Sequence, residues 1–390
     1  MSRSTASDIP WKRHTIDDSS QGADGVRLAD VNNDGHQDVC TGWEEGGLIR
    51  VYLNPGPENC RSRWPSITVG EVAAPEDAVF CDLDNDGAVD VVSCCEQKNR
   101  SVYFHWAPKS KSDYLTSTAW KTEAVPSVQG AQMWMYCVPA DLDGQGGTDL
   151  VVGSKMRDGS IGWLQSPENP RDTSAWTYHR LADAGWIMSL ELLDMDGDGD
   201  NDILSSDRTG GRSGVGWLEN PGPVATASGA EWKSHHVGGR GRTVMFLEVA
   251  DLNRDGLDDI VCTTRSGRIL YFERASPNGD QWKRHRIANP FGVKLGKAVA
   301  VADVNLDGRL DLVHTANLGG SPGVPACTWM ELGDLEQPQI EATYHDLGGP
   351  RGYKYDLIEM IDLDHDGDLD LLTCEERHNL GVIWYENPTR

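Results

Sequence analysis

Aspartates at fixed spacing are the residues of this chain best placed to do chemistry. From Asp194 to Asp202 the sequence reads Asp-Met-Asp-Gly-Asp-Gly-Asp-Asn-Asp, with side-chain oxygens at positions 1, 3, 5 and 9 and glycine at position 6. Carboxylates packed this closely repel one another unless a cation lies among them. Alternate residues of a tight loop aim their oxygens at one centre, and roughly six to eight oxygens at about 2.3–2.6 Å is what Ca2+ requires. The glycine admits a turn that a side chain would obstruct. Asp194, Asp196, Asp198 and Asp202 are thus a candidate metal cage, and the pattern recurs six more times.

The first copy offers Asp30, Asn32, Asp34 and Asp38, the second Asp82, Asp84, Asp86 and Asp90, and the third Asp141, Asp143, Gln145 and Asp149. After the Asp194 loop come Asp251, Asn253, Asp255 and Asp259, then Asp303, Asn305, Asp307 and Asp311, and finally Asp362, Asp364, Asp366 and Asp370. Gln145 replaces an acid, so the third loop is expected to be the weakest of up to seven Ca2+ sites, or empty. Asn32, Asn253 and Asn305 keep an oxygen and lose a charge. An EF-hand loop would carry Glu at position 12 between helices. Here position 12 is Thr41, Ser93, Val152, Ser205, Cys262, His314 or Thr373, and the flanks read as strands, which excludes it. A structural role is expected for the ions, because the side chains are spent on caging them.

The elements that must hold these loops follow from their spacing. The first aspartates lie 52, 59, 53, 57, 52 and 59 residues apart, a repeat of the length of a four-stranded propeller blade. Each loop is flanked by short apolar runs, such as Val26–Ala29 and Val39–Thr41 or Leu190–Leu193 and Ile203–Ser205, which read as buried strands. A third strand carries Trp163, Trp217 or Trp384 and ends in a Pro turn, and a fourth carries His14, His179, His235 or His285. Trp and His recurring at one blade position are expected to be packing residues. The reading is all-β: a seven-bladed β-propeller of four-stranded blades, one domain over residues 1–390. Its repeats fall roughly at 11–63, 64–119, 120–175, 176–231, 232–281, 282–342 and 343–390. Residues 11–16 match a fourth strand and the C-terminal stretch a third, so the N-terminal strand is expected to close the last blade and remove exposed sheet edges.

With seven such loops in order over nearly the whole chain, the sequence resembles the FG-GAP/VCBS repeat family, which includes integrin α-subunit propellers and a fungal seven-bladed lectin. The resemblance implies Ca2+ held by side chains at positions 1, 3, 5 and 9 and by the backbone carbonyl at position 7. In this sequence those carbonyls belong to His36, Ala88, Gly147, Asp200, Leu257, Arg309 and Asp368. The Trp-Leu-Glu-Asn-Pro-Gly phrase at Trp217 and the Trp-Lys-Arg-His strands are also similar to the propeller part of aldos-2-ulose dehydratase.

Formal net charge is −26, with 61 acidic residues against 35 basic, and 24 of the acids stand at ligand positions. A field of this sign disfavours nucleic acid. No run approaches the roughly 18 apolar residues of a membrane span, so no membrane insertion is expected. Nine cysteines without disulfide-framework spacing read as core thiols. No leader is apparent, so the chain is expected in the cytoplasm if Met1 is native, and outside cells or in the periplasm if a leader was removed. Oligomeric state is not legible.

Metal loops joining first and second strands would occupy one face, leaving the other connections to carry a polar ligand. Trp43, Glu44, Glu45, Glu96, Glu375, Glu376, Arg377 and His378 come from blades that adjoin after closure. Trp134, Trp186 and Tyr353 are expected aromatic platforms, and Arg208 and Arg265 lead a basic arc with Arg240, Arg242, Lys294, Lys297, Arg351 and Lys354. Carboxylates accept hydroxyl hydrogen bonds, and Arg grips carboxylate or sulfate in bidentate fashion. The expected function is therefore carbohydrate or other polar-ligand binding, lectin-like, on the face away from the metal. Two alternatives stay open: a sugar-active lyase, dehydratase or hydrolase using Glu44, Glu376 and His378, and a protein-docking platform. Gly319–Gly323 matches G-x-S-x-G without the helix a nucleophile elbow needs, and Gly292–Lys297 lacks Walker spacing.

Overall fold

A computed structural model describes residues 9–288, 295–317 and 324–390. The Gly319–Gly323 match and the Gly292–Lys294 half of the Gly292–Lys297 stretch lie outside them. The chain forms seven antiparallel four-stranded sheets, the blades of a β-propeller. Blade 1 comprises Ala23–Ala29, Asp38–Trp43, Leu48–Tyr52 and Ser66–Glu71, and blade 2 Pro75–Cys81, Asp90–Cys95, Val102–Trp106 and Lys121–Ala124. Blade 3 comprises Met133–Ala140, Asp149–Lys155, Ser160–Gln165 and Thr177–Asp183, and blade 4 Ile187–Leu193, Asp202–Asp207, Gly214–Glu219 and Lys233–Gly238. Blade 5 is built from Val244–Ala250, Asp259–Thr264, Ile269–Arg274 and Trp282–Ile287, and blade 6 from Gly296–Ala302, Asp311–Ala316, Cys327–Leu332 and Ala342–Asp346. A two-residue strand, Gln339–Ile340, adds to the edge of blade 5 in parallel.

Blade 7 takes Tyr355–Ile361, Asp370–Glu375 and Gly381–Glu386 from the C-terminus and Lys12–Asp17 from the N-terminus. Lys12 pairs with Glu386 and His14 with Trp384, so the first strand closes the last blade as the sequence phase requires. Every second strand is buried along its whole length. That explains why these strands read as unbroken apolar runs rather than as alternating ones. The fourth strands are the wet ones: Thr177–Asp183 has no fully buried residue.

The described residues fall into two compact units. One contains residues 27–54 and 64–242; the other contains the described parts of 1–26, 55–63 and 243–390. In the first, Val79, Phe104, Trp106, Trp134, Leu150 and Trp176 belong to one apolar cluster and Val31, Cys40, Val51 and Tyr114 to another. In the second, Leu252, Tyr271, Leu312, Met330 and Ile340 pack together. All nine cysteines are free and buried, as expected of core thiols. Among the described residues no helix is long and apolar enough to cross a membrane.

The recurrent Trp and His form one device. His14, His179, His235 and His345 stack on Trp384, Trp163, Trp217 and Trp329, with ring centroids 3.9–4.7 Å apart, and His285 stacks on Tyr271. Each imidazole Nε2 also meets a third-strand side chain two residues beyond that ring: Glu386, Gln165, Glu219, Glu331 or Glu273. The pair clamps the outer strand onto the blade, a packing role.

Candidate metal loops and polar blade ends

Each Asp-rich loop joins the first and second strands of its blade, and its position-9 aspartate is the first residue of the second strand. Asp38, Asp90, Asp149, Asp202, Asp259, Asp311 and Asp370 are all buried. In all seven loops Oδ2 of this residue accepts the N–H of position 2, at 2.8–3.2 Å. In six, Oδ1 accepts an N–H at the end of the third strand or just beyond it, from Asn54, Ala107, Ser166, Asn220, Arg274 or Asn387, at 2.7–2.9 Å. One carboxylate therefore ties the loop to two strands of its blade. Burial raises Asp38, Asp202 and Asp259 to about 6 and Asp90, Asp149, Asp311 and Asp370 to about 7, against the pull of their backbone donors.

Position 1 organises the turn. Asp30, Asp82, Asp194, Asp251, Asp303 and Asp362 accept the N–H of the position-6 glycine at 2.9–3.2 Å. That glycine lies at φ between +71° and +98° in all seven loops. Position 4 is also left-handed, even where it is Arg254, Leu306 or His365, at φ 61°, 57° and 58°. In the third loop Asp141 accepts from Gly144, a different closure of the turn.

The donors fit a hard cation. Carboxylate oxygens of Asp82, Asp84 and Asp90 lie within 4.8 Å of one another, as do those of Asp141, Asp143 and Asp149. Asp84, Asp362 and Asp368 each bury an Oδ1 with no hydrogen-bond partner among the described residues. A buried carboxylate oxygen without a donor is costly unless a positive charge satisfies it. Side-chain oxygens at alternating positions would supply a cation with carboxylate ligands, and Ca2+ would supply the loop with charge balance and rigidity.

The opposite ends of the blades carry the other candidate residues. Within the unit formed by residues 27–54 and 64–242, Lys155 ends the second strand of blade 3. Its Nζ lies 3.2 Å from Glu76 Oε1, contacts Glu96, and sits 4.6 Å from the centroid of Trp186. The Arg208 guanidinium lies 4.0 Å from the same ring. Asp207 fixes the indole's backbone by accepting the Gly185 and Trp186 N–H groups at 2.8 Å. Burial lifts Glu76 to about 7 despite Lys155, and burial of Lys155 is outweighed by Glu76 and Glu96, which raise it. Glu44 accepts the Gln97 amide at 3.0 Å, while Glu45 is exposed.

Two expected ligand-face residues, Trp43 and the aromatic platform Trp134, are core residues instead. Trp43 and Trp134 are completely buried, their indole N–H groups donating to Tyr52 and to the Val128 carbonyl. Trp43 ends the second strand of blade 1 and Trp134 lies near the start of the first strand of blade 3, where apolar packing takes the ring. In the second unit Glu375 is buried too, and its carboxylate accepts N–H groups from Tyr353, Lys354, Arg377, His378 and Leu380, so it shapes a loop rather than meeting a ligand. Glu376 is held by Lys354 and by Arg377 at 3.0 Å; its oxygens lie within 4.8 Å of those of Asp24 and Asp356, and Lys297 and Lys354 form ion pairs with Asp356. His378 Nδ1 accepts the Gly352 N–H, and its ring meets Tyr353 edge-on at 4.6 Å. Arg265 and Arg377 are exposed. Glu76, Lys155 and Asp207 escaped the sequence reading; a lysine closing a wholly buried apolar strand was the signal available for the second.

Sheets and loops define a seven-bladed β-propeller with an Asp-rich loop in every blade, a fold consistent with a binding or docking platform. The model for the FG-GAP-like repeat matches residues 30–93, 128–205 and 251–314, more than half of the chain. The chain belongs to the FG-GAP-like repeat family. No curated protein matches it. Among solved structures it is similar to the crystal structure of BBS1N in complex with ARL6DN soaked with mercury, at TM-score 0.53 and 9% identity over 98% of both chains. The same complex soaked with lead gives TM-score 0.55 and 10% identity, over 98% of this chain and 99% of that one. At such identity the likeness concerns the fold alone.

Proposed function

We propose that the protein is a Ca2+-stabilised binding propeller that takes a polar ligand, a carbohydrate or uronate, at blade ends away from its metal loops. The observation supporting this most directly is the cluster of Glu76, Glu96, Lys155 and Arg208 around Trp186, which offers hydroxyl acceptors, a carboxylate grip and one indole in a single place. The metal half of the proposal rests on the converging carboxylates and on the buried oxygens of Asp84, Asp362 and Asp368. Catalysis is the weaker reading, because Glu376 and His378 are engaged by Lys354, Arg377 and Gly352.

A glycan array, run with turnover assays on uronic-acid oligosaccharides and ketosugars, tests the proposal. Binding without turnover, lost in Lys155→Met and Arg208→Ala, is the expected result. Turnover would move the protein into the enzyme class. Neither would favour a protein partner, the reading to which the BBS1N complexes with ARL6DN lend a precedent of fold.

A further inference from the structure

Loops 2, 4 and 7 each place four aspartates at the ligand positions, so by composition they are equals. Their surroundings are not. In loop 7 the Arg61 guanidinium contacts Asp364, whose side chain is 1% exposed, and reaches Glu386 Oε1 at 2.9 Å. In loop 2 the Arg171 guanidinium contacts Asp84, lies 3.1 Å from Asp86 Oδ2, and rests over Trp106 at 4.4 Å. Both arginines come from the connection between a third and a fourth strand, far from their targets in sequence. Loop 4 differs: among the described residues no Lys or Arg forms an ion pair with Asp194, Asp196, Asp198 or Asp202, and Asp194 and Asp198 accept only backbone N–H groups there.

We propose that Arg61 and Arg171 are resident cations that weaken Ca2+ binding at loops 7 and 2, leaving loop 4 as the tight site of the three. The inference rests on the metal reading above. A guanidinium hydrogen-bonded to a ligand carboxylate stands roughly 5 Å from any ion those oxygens share. It is charged at every accessible pH, so the repulsion is permanent. Asp362, Asp368 and Asp84 nevertheless keep a buried oxygen with no partner, so an ion at loop 7 or loop 2 still gains a ligand that the arginine does not use. The outcome is a graded set of affinities within one repeat family, with the weak end at the loop beside the chain-closing strand.

Calorimetric Ca2+ titration of the full chain, with bound ions counted by native mass spectrometry, tests this on wild type, Arg171→Met, Arg61→Met and Arg171→Lys. Met keeps apolar contact with Trp106 and removes the charge; Lys retains the charge. Each Met variant should move one ion from the weak to the tight class with a gain of about tenfold or more, while Arg171→Lys stays weak. Folded Met variants with wild-type or weaker isotherms would overturn the proposal. Should a Met variant fail to fold, Asp194→Asn decides: an ion lost from the tight class supports the ranking, and one lost from the weak class refutes it. A wild type that binds no Ca2+ at millimolar concentration sinks the metal reading itself, and this is seen before any variant is made.

Discussion

Asp202 accepts the Met195 N–H through one oxygen and the Asn220 N–H through the other, and burial lifts its pKa to about 6. Its six counterparts are raised to about 6 or 7 in the same way. Between roughly pH 4 and 7 the metal-free native protein therefore holds protons that the unfolded chain has released, and these groups withdraw stability as pH rises through that window. His105 and His314, pushed down by burial to about 3 and about 4, act in the opposite sense below about pH 6.5, and are outnumbered. On the proposed metal reading Ca2+ takes the ionised carboxylates, so the melting temperature it adds should be larger at pH 8 than at pH 5. An equal gain at the two pH values would remove these aspartates from the metal account. Asp202→Asn should cost about 1–3 kcal/mol through the lost charge and a compromised acceptor, measured by denaturant unfolding with and without chelator.

At the level of elements, strength lies in contacts repeated from blade to blade. His235 stacks on Trp217 at 3.9 Å and meets Glu219 at 2.6 Å, clamping the fourth strand onto the third. His235→Ala should lower stability by about 1–2 kcal/mol and leave ligand binding intact; lost binding with unchanged stability would contradict the packing role. The Asp-rich loops carry a different repeated feature, the left-handed residue at position 4. Leu306 occupies it with a branched side chain at φ 57°. Leu306→Gly should raise stability by about 0.5–1 kcal/mol by relieving that conformation, read from chemical denaturation with chelator present.

For the molecule as a whole, the N-terminal strand is the piece that completes blade 7. Lys12–Asp17 pairs with Gly381–Glu386, and the Trp11 N–H donates to the Leu347 carbonyl. Glu386 gathers Lys12, His14 and Arg61, and Arg61 leads the contacts that hold it down to about 2. Its contribution is present above the ordinary carboxylate range and is lost only as pH falls through about 2. Removing residues 1–18 uncovers a strand edge and discards the Trp11, Lys12 and His14 contacts, so the melting temperature should fall by several degrees and aggregation should rise. A truncated chain that melts like the full one would mean that blade 7 stands without its fourth strand.

The Asp-rich loops, strand order, chain closure and buried thiols are all legible in the sequence, because each is written in local pattern: acids at alternate positions, glycine where φ must be positive, apolar runs between. The position-9 aspartates read as loop residues in the sequence, since a buried carboxylate at a strand's first residue looks like a turn residue until its two backbone donors are seen. Tertiary structure alone decided that Trp43 and Trp134 are core, that Glu375 is spent on backbone N–H groups, and that Glu76 and Lys155 meet beside Trp186. It alone set Arg61 against Asp364 and Arg171 against Asp84 and Asp86. Pattern along a chain records what a residue does to its own backbone, whereas the charge or ring that faces it is chosen by strands dozens to hundreds of residues away.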